Sequence, residues 1–291
     1  MSLNLTSVDR VKTISKDNFL KYYVRKQRPL VIENLIEDWP AFTKWNLSYF
    51  KEVMGDKMVP LYDDRPVDYQ DGFNEPHAKM LMKEYVDLLE KEPTRYRIFL
   101  YNVLKEVPEL QKDFNFPDLG LPILKSLPML FFGGRDSFTF MHYDIDLANI
   151  LHFHFHGKKE CILFPFEEKK YLYQVPNSLI THESIDFANP DLDRWPALKK
   201  AKGFLAELEH GNTLYMPEGY WHYMRYITPG FSMSMRSLAR NPKNLGQAIY
   251  NLLVMRNYDN LMRRMKGQQW IDDKNQKAID RTNRLLLNMK S

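Results

Sequence analysis

His142-Tyr143-Asp144, with His222 far downstream in Tyr220-Trp221-His222-Tyr223, are the residues of this chain whose types and spacing can hold a metal. Side chains on an extended segment alternate with period 2, so a His-x-Asp pair there points both groups to one face. His222 would complete a set of two imidazoles and one carboxylate. Such a set occupies one face of an octahedral metal and leaves the other open, the arrangement of non-haem Fe(II) oxygenases. Taken alone, His-x-Asp is a weak pattern. The turn Gly211-Asn212, a strand ending at Pro217 and the pair Trp221-His222 strengthen it. Two hydrogen-bonded histidines without a metal stand as the alternative.

Other residues with chemistry fall on neighbouring runs. In Ile150-Leu-His-Phe-His-Phe-His156, alternation puts His152, His154 and His156 on one face. Same-face neighbours lie about 7 Å apart along a strand, too far for all three to clamp one ion. They read as a polar interior or a solvated outer face. If interior, His152 or His154 could touch substrate or a metal-bound water. In Phe231-Ser-Met-Ser-Met-Arg236 the same rule groups Ser232, Ser234 and Arg236. Cys161, in an apolar run, reads as an inert core residue.

Elements must position these groups. Asp17-Asn18 predicts a helix cap, with the helix running to about Arg25 before Pro29. Leu30–Glu33 and Lys57–Tyr62 read as strands, Met80–Leu89 as a helix, and Arg97–Leu104 as extended at its start. From about Leu127, apolar or alternating runs follow one another: Met129–Phe132, Ser137–His142, Asn149–His156, Glu160–Phe164, Thr213–Met216, Trp221–Ile227 and Phe231–Leu238. Glycine- and proline-containing turns separate them, which indicates a β-sandwich or barrel and a mainly β chain. The polar insertion between Pro176 and Lys202 is expected on the surface, near the site. Leu245–Met265 and Asp272–Met289 have helical spacing and must pack on the barrel or on another subunit. The expected division is 1–125, an N-terminal α/β part; 126–240, the β core; and 241–291, a helical extension.

The 291 residues suffice for a substantial core. With 41 basic and 37 acidic residues, the net charge of +4 is too small to argue for nucleic acid. One cysteine excludes an intramolecular disulfide or a cysteine-based zinc site and fits a reducing compartment. With no apolar stretch of about 18 residues and no signal-peptide pattern, a cytoplasmic location is expected.

Several blocks together resemble the JmjC family of 2-oxoglutarate-dependent oxygenases, in the cupin-like branch that includes the asparaginyl hydroxylase of hypoxia-inducible factor. They are Pro29–Glu33 with Asp38-Trp39-Pro40, Thr139-Phe-Met-His-Tyr-Asp144, Gly157–Pro165, Gly211–Pro217 and Tyr220-Trp221-His222. The resemblance implies a double-stranded β-helix (jelly-roll) barrel with helices outside, Fe(II) on His142, Asp144 and His222, and 2-oxoglutarate beside it. It implies Lys159 and Thr139 as anchors of the co-substrate's distal carboxylate. Tyr101 is a further candidate, though Phe99 aligns equally well. Arg236 competes with Lys159, because many oxygenases of this class use an arginine on that strand. Asn149 is a candidate for the family's active-site asparagine. The implied reaction is O2-dependent hydroxylation of a C–H bond, with a polypeptide side chain as default substrate and a small molecule or RNA as alternatives. A homodimer through the C-terminal helices is also implied. A cupin-type metal protein that never uses 2-oxoglutarate and a catalytically silent scaffold remain the rival readings.

Overall fold

The structure, a computed structural model, describes residues 2–65, 75–91 and 93–288. In chain order its strands are β1 (Asn4–Ser7), β2 (Asp9–Val11), β3 (Leu30–Ile32), β4 (Met58–Leu61), β5 (Ala78–Leu81), β6 (Arg97–Asn102) and β7 (Met129–Gly133). They continue as β8 (Phe138–His142), β9 (Asn149–His156), β10 (Lys159–Phe164), β11 (Lys202–Leu208), β12 (Thr213–Met216), β13 (Trp221–Tyr226) and β14 (Gly230–Ser237). Helices α1 (Lys16–Phe19), α2 (Pro40–Lys44), α3 (Leu47–Met54), α4 (Met82–Lys91) and α5 (Val103–Glu106) precede the core; α6 (Pro242–Tyr250), α7 (Arg256–Lys266) and α8 (Gln268–Asn288) follow it.

Two sheets form the core, ordered β1-β11-β10-β13-β8 and β2-β3-β12-β9-β14-β7-β6. From β7 to β14 the strands alternate between the two sheets except at β10 and β11, which pair within one sheet, a winding consistent with a jelly roll. Among the described residues no ladder closes the two sheets into a barrel. The N-terminal part is woven into both sheets, since β1 pairs β11, β3 pairs β12 and β6 pairs β7.

The pleat sorts the side chains. On β9, Leu151, Phe153 and Phe155 face outward into a core shared with Phe19, Trp39, Trp45 and Phe50 of the N-terminal helices. Ile150 faces inward, in a cluster with Cys161, Leu163, Met216 and Met224. The outer face of the other sheet, with Ile162, Phe164, Trp221 and Tyr223, is covered by Ile185, Phe187 and Trp195. The insertion expected on the surface therefore buries apolar groups. Its polar residues are the exposed ones, and its few hydrophobics close a sheet face that water would otherwise reach.

Other boundaries shift for local reasons. Ser15, not Asp17 or Asn18, caps α1, its hydroxyl accepting from Asn18 N. Met80 belongs to β5, opposite Val59, and the helix begins at Met82. The strand β11 has no counterpart in the sequence reading. The predicted last helix begins earlier, at Gln268, and its expected end at Met289 lies outside the described residues.

Candidate metal centre and its cavity

His142 closes β8 and His222 lies directly opposite it on β13. Asp144 lies two residues beyond His142, just past the end of β8, and its carboxylate comes to the same side as the two imidazoles. The three ligating atoms lie within 4.8 Å of one another. His142 Nδ1 sits 2.8 Å from Phe140 O and His222 Nδ1 3.0 Å from Tyr220 O. A carbonyl can only accept, so each Nδ1 carries the proton and each Nε2 presents its lone pair. The Nε2 atoms lie 3.7 and 3.8 Å from Asp144 Oδ1. Burial and the neighbouring His222 lower the His142 pKa to about 4, which keeps the ring neutral, as a metal ligand must be. Burial pushes Asp144 up, but His222, Arg236 and His142 outweigh it and hold the carboxyl below its usual range.

A cavity opens from this centre into the sheet interior, lined by His152, Lys159, Tyr226, Arg97, Met216 and Met224 among others. Lys159 Nζ donates to His152 Nε2 (3.1 Å) and to Ser232 Oγ (3.1 Å). His152 Nδ1–H then donates to Ser234 Oγ (2.7 Å). His154 takes the opposite tautomer: its Nε2–H donates to Gly157 O (3.0 Å), so Nδ1 accepts from Ser232 (2.8 Å). Burial, with Lys159 nearby, keeps both rings neutral, His154 at about 3. The lysine is 3% exposed, and burial lowers its pKa to about 7. Among the described residues no carboxylate pairs with it. Two of its three N–H groups are used, and the ammonium stands 4.2 Å from the Tyr226 ring centroid.

Arg97, which the sequence reading did not single out, is a second buried cation in this cavity. It donates to Thr139 Oγ1 (2.6 Å) and Asp63 O (2.9 Å), while its Nε has no partner. Its signal was an arginine opening an otherwise apolar strand. The Tyr226 hydroxyl is also buried without a partner. Gly133 lets that ring lie across the cavity, since a Cβ there would come within 2.3 Å of it. Two desolvated cations and two unpartnered polar groups fit a bound anion, because a buried charge left without a counter-charge is costly.

Each remaining candidate has a definite place. Thr139 lines the cavity beside His142, although three residues apart on a regular strand would set them on opposite faces; an irregularity in the β8–β13 pairing brings them together. Tyr101 is turned away. A register shift between Ile98 and Tyr101, with Leu100 at φ 51°, breaks the alternation, so Arg97 and Phe99 line the cavity while Tyr101 packs in the outer core. Arg236 does not offer an unpaired cation: it donates to Asp146 Oδ2 (2.9 Å) and lies 3.5 Å from Asp144 Oδ2. It braces the ligand carboxylate rather than an incoming one. Asn149 is not brought to the cavity, because Glu218 and Tyr215 engage its amide. His152 lines the cavity, His154 supports Ser232 behind it, and half-buried His156 stacks on Phe231.

On the other side of the triad lies a mouth of about 310 Å3. One wall is Asn177–Ile180 of the insertion, a strap tied to β8 by Tyr143 N→Leu179 O and Thr181 N→Met141 O (both 3.1 Å). The opposite wall is Met255, just before α7, with Arg256, Asp259 and Arg263 of α7.

The profile of a family described as a cupin-like domain matches residues 16–263. Similar proteins include lysine-specific demethylase 8 of Xenopus tropicalis, 26% identical over 79% of this chain and 52% of its own length. Lysine-specific demethylase JMJ30 of Arabidopsis thaliana is 29% identical over 80% of this chain and 55% of its own. Human tRNA wybutosine-synthesizing protein 5 is 27% identical over 74% and 72%. The chain thus spans about half the length of the two demethylases. Among the described residues no helix is long and apolar enough to cross a membrane.

Proposed function

The chain belongs to the cupin-like domain family, and on that premise we propose that it is an Fe(II)- and 2-oxoglutarate-dependent oxygenase that hydroxylates a C–H bond. The observation that carries this reading is the unpaired buried cation Lys159 in the same cavity as the His142, Asp144 and His222 ligand set. Bound there, Fe(II) and 2-oxoglutarate supply the oxidising power for inserting one atom of O2 into substrate, with succinate and CO2 as co-products. The residues supply the rest. Backbone carbonyls fix the two imidazole tautomers, and Arg236 orients the Asp144 carboxylate. Lys159 and the Thr139 hydroxyl meet the co-substrate's distal carboxylate. Ile150, Met216 and Met224 keep water from the inner cavity.

The test is succinate formation by anaerobically Fe(II)-loaded protein after exposure to air, beside a His142→Ala, Asp144→Ala variant. Turnover in the wild type alone is expected. Absence of turnover together with absence of Fe(II) binding and of a 2-oxoglutarate-dependent absorption band would leave the silent scaffold; retained metal without that band would leave the cupin-type metal protein.

A homodimer completes this reading. Leu245, Ile249, Leu252, Leu253, Leu261 and Met265 are exposed along α6, α7 and the π-helical stretch Asn251–Met255 that joins them, a stripe that a second copy would bury. A polypeptide side chain as substrate rests on the resemblance alone.

A further inference from the structure

We propose that Lys159 is a site of reversible modification by carbon dioxide, whose addition to the side-chain amine as a carbamate turns the cation of the inner cavity into an anion. The amine has two hydrogen-bond neighbours, His152 Nε2 and Ser232 Oγ, both at 3.1 Å. Both act as acceptors, because His152 carries its proton on Nδ1 and the Ser232 hydroxyl donates to His154 Nδ1. An ammonium has three N–H groups and a neutral amine two. The neutral amine is therefore fully satisfied by this network and keeps its lone pair free. The ammonium leaves one donor over and brings a charge without a counter-charge. Lys274 is the contrast: it is also 3% exposed, but it pairs with Asp259. Burial, helped by Arg97, lowers the Lys159 pKa to about 7. Near neutral pH about half of the molecules then carry a desolvated, unprotonated lysine, the nucleophilic form, which an ordinary surface lysine hardly populates.

The addition needs no oxidant or reductant. The Nζ lone pair bonds to the CO2 carbon, one C–O π pair moves onto oxygen, and an N–H proton leaves. R–NH2 and CO2 thus give R–NH–CO2− and H+. His152 Nε2 is the base within reach of that proton before water takes it. The inner cavity has about 50 Å3 of free volume, where one water needs about 10–15 Å3, so a molecule of three heavy atoms enters. Donors for the product are already in place. The Tyr226 ring centroid lies 4.2 Å from the ammonium position, and the same ring crosses Gly133, which pairs with Arg97 between β6 and β7. The Tyr226 hydroxyl and Arg97 Nε are both buried without a partner, and a carbamate offers them two oxygens. Charge points the same way. Ammonium and guanidinium put two positive charges in the cavity, whereas carbamate and guanidinium cancel. CO2 is a co-product of the proposed reaction and arises beside this amine. A carbamate there repels the co-substrate's distal carboxylate, so CO2 and 2-oxoglutarate exclude each other. That exclusion rests on the oxygenase reading; the carbamate does not.

The test is 13C NMR of the metal-free full chain, with 15N at its lysine side-chain nitrogens, in 13C-bicarbonate at a pH just above 7. A carbamate carbon on a lysine is split by 15N, and one on the amino terminus is not. One split resonance is expected, lost on acidification, on unfolding in denaturant and in Lys159→Arg, and kept in Lys274→Arg. Alkylation of the carbamate by an oxonium reagent, followed by mass spectrometry, places it on residue 159 without any variant. For anaerobic Fe(II)-loaded protein, CO2 sufficient to half-fill Lys159 should raise the apparent Kd of 2-oxoglutarate about twofold by calorimetry. Lys159→Arg should lose that sensitivity, which separates it from carbonate acting on the metal. No split resonance in the native chain, one that survives Lys159→Arg, or a trapped label on a peptide without residue 159 would overturn the proposal. Binding of 2-oxoglutarate without a carbamate sinks only this inference; a carbamate without 2-oxoglutarate binding sinks only the oxygenase.

Discussion

Lys159 shows at the scale of one residue how a sequence position becomes a chemical instrument. Its folded pKa of about 7 lies below that of a free lysine, so between those values the unfolded chain holds a proton that the native chain lacks. Stability contributed by this group therefore rises with pH across that window, and the cost of keeping it charged is present below about 7. A bound carboxylate restores the charge. Above about pH 7, 2-oxoglutarate binding should take up one proton and weaken about tenfold per pH unit. Calorimetry in two buffers of different ionisation enthalpy measures that uptake; an affinity flat across the range would place the carboxylate on another residue. The grouping of His142, Asp144, His222 and Lys159 around one cavity was legible because they lie in short blocks of distinctive residues. Phe99 against Tyr101 was not, since a bulge leaves no mark in residue types. Arg236 was ambiguous because the sequence does not show that Asp146 reaches it.

At the scale of elements, Glu218 ties the core to the helices that wall the mouth. Buried in the turn before β13, it accepts from Asn149 Nδ2 (3.1 Å), Arg240 N (2.6 Å), Asn241 N (3.2 Å) and Asn244 Nδ2 (2.9 Å). It thereby holds the start of α6. Glu218→Ala would strand the buried Asn149 amide and release three part-buried donors, and should cost about 1–3 kcal/mol. Denaturant unfolding measures the loss, and limited proteolysis should open the chain first near Arg240; unchanged cleavage would show that the helices hold without it. Strands were the most legible elements, and β9 and β12 keep their predicted bounds. Their alternation is driven by two buried environments, apolar outside and polar inside. The strand β11 was lost to its exposed Lys202 and Glu207 at an edge of the polar insertion.

At the scale of the whole molecule, the C-terminal helices present two different faces. One face, with Met255 and Arg263, closes the mouth; another leaves Leu253 at 66% and Met265 at 69% exposed. The apolar stripe of these helices is legible in the sequence and their part in the mouth is not, because amphipathic spacing reveals that a face is apolar and not which neighbour covers the rest. We expect the full chain to have twice its monomer mass by light scattering at micromolar concentration. Leu253→Glu with Leu261→Glu should yield monomers that remain folded; a wild-type monomer would remove the dimer from the proposed reading. The two-sheet architecture was legible from spacing and turns. Its open edges, and the weaving of β1 and β3 into it, depend on long-range pairing that local pattern does not encode.

Met216 and Met224 line the inner cavity and Met255 the mouth. Cys161, whose thiol burial pushes up to about 12, stays protonated in the core. Thioethers are thus the softest groups within reach of the centre. A catalyst of the proposed class that ran without its substrate would scar itself there, as sulfoxides that a reductase can erase, and the lone thiol would be spared. The history of each molecule's idle cycles would then be written in the masses of a few peptides, a wear gauge built into the lining of the site.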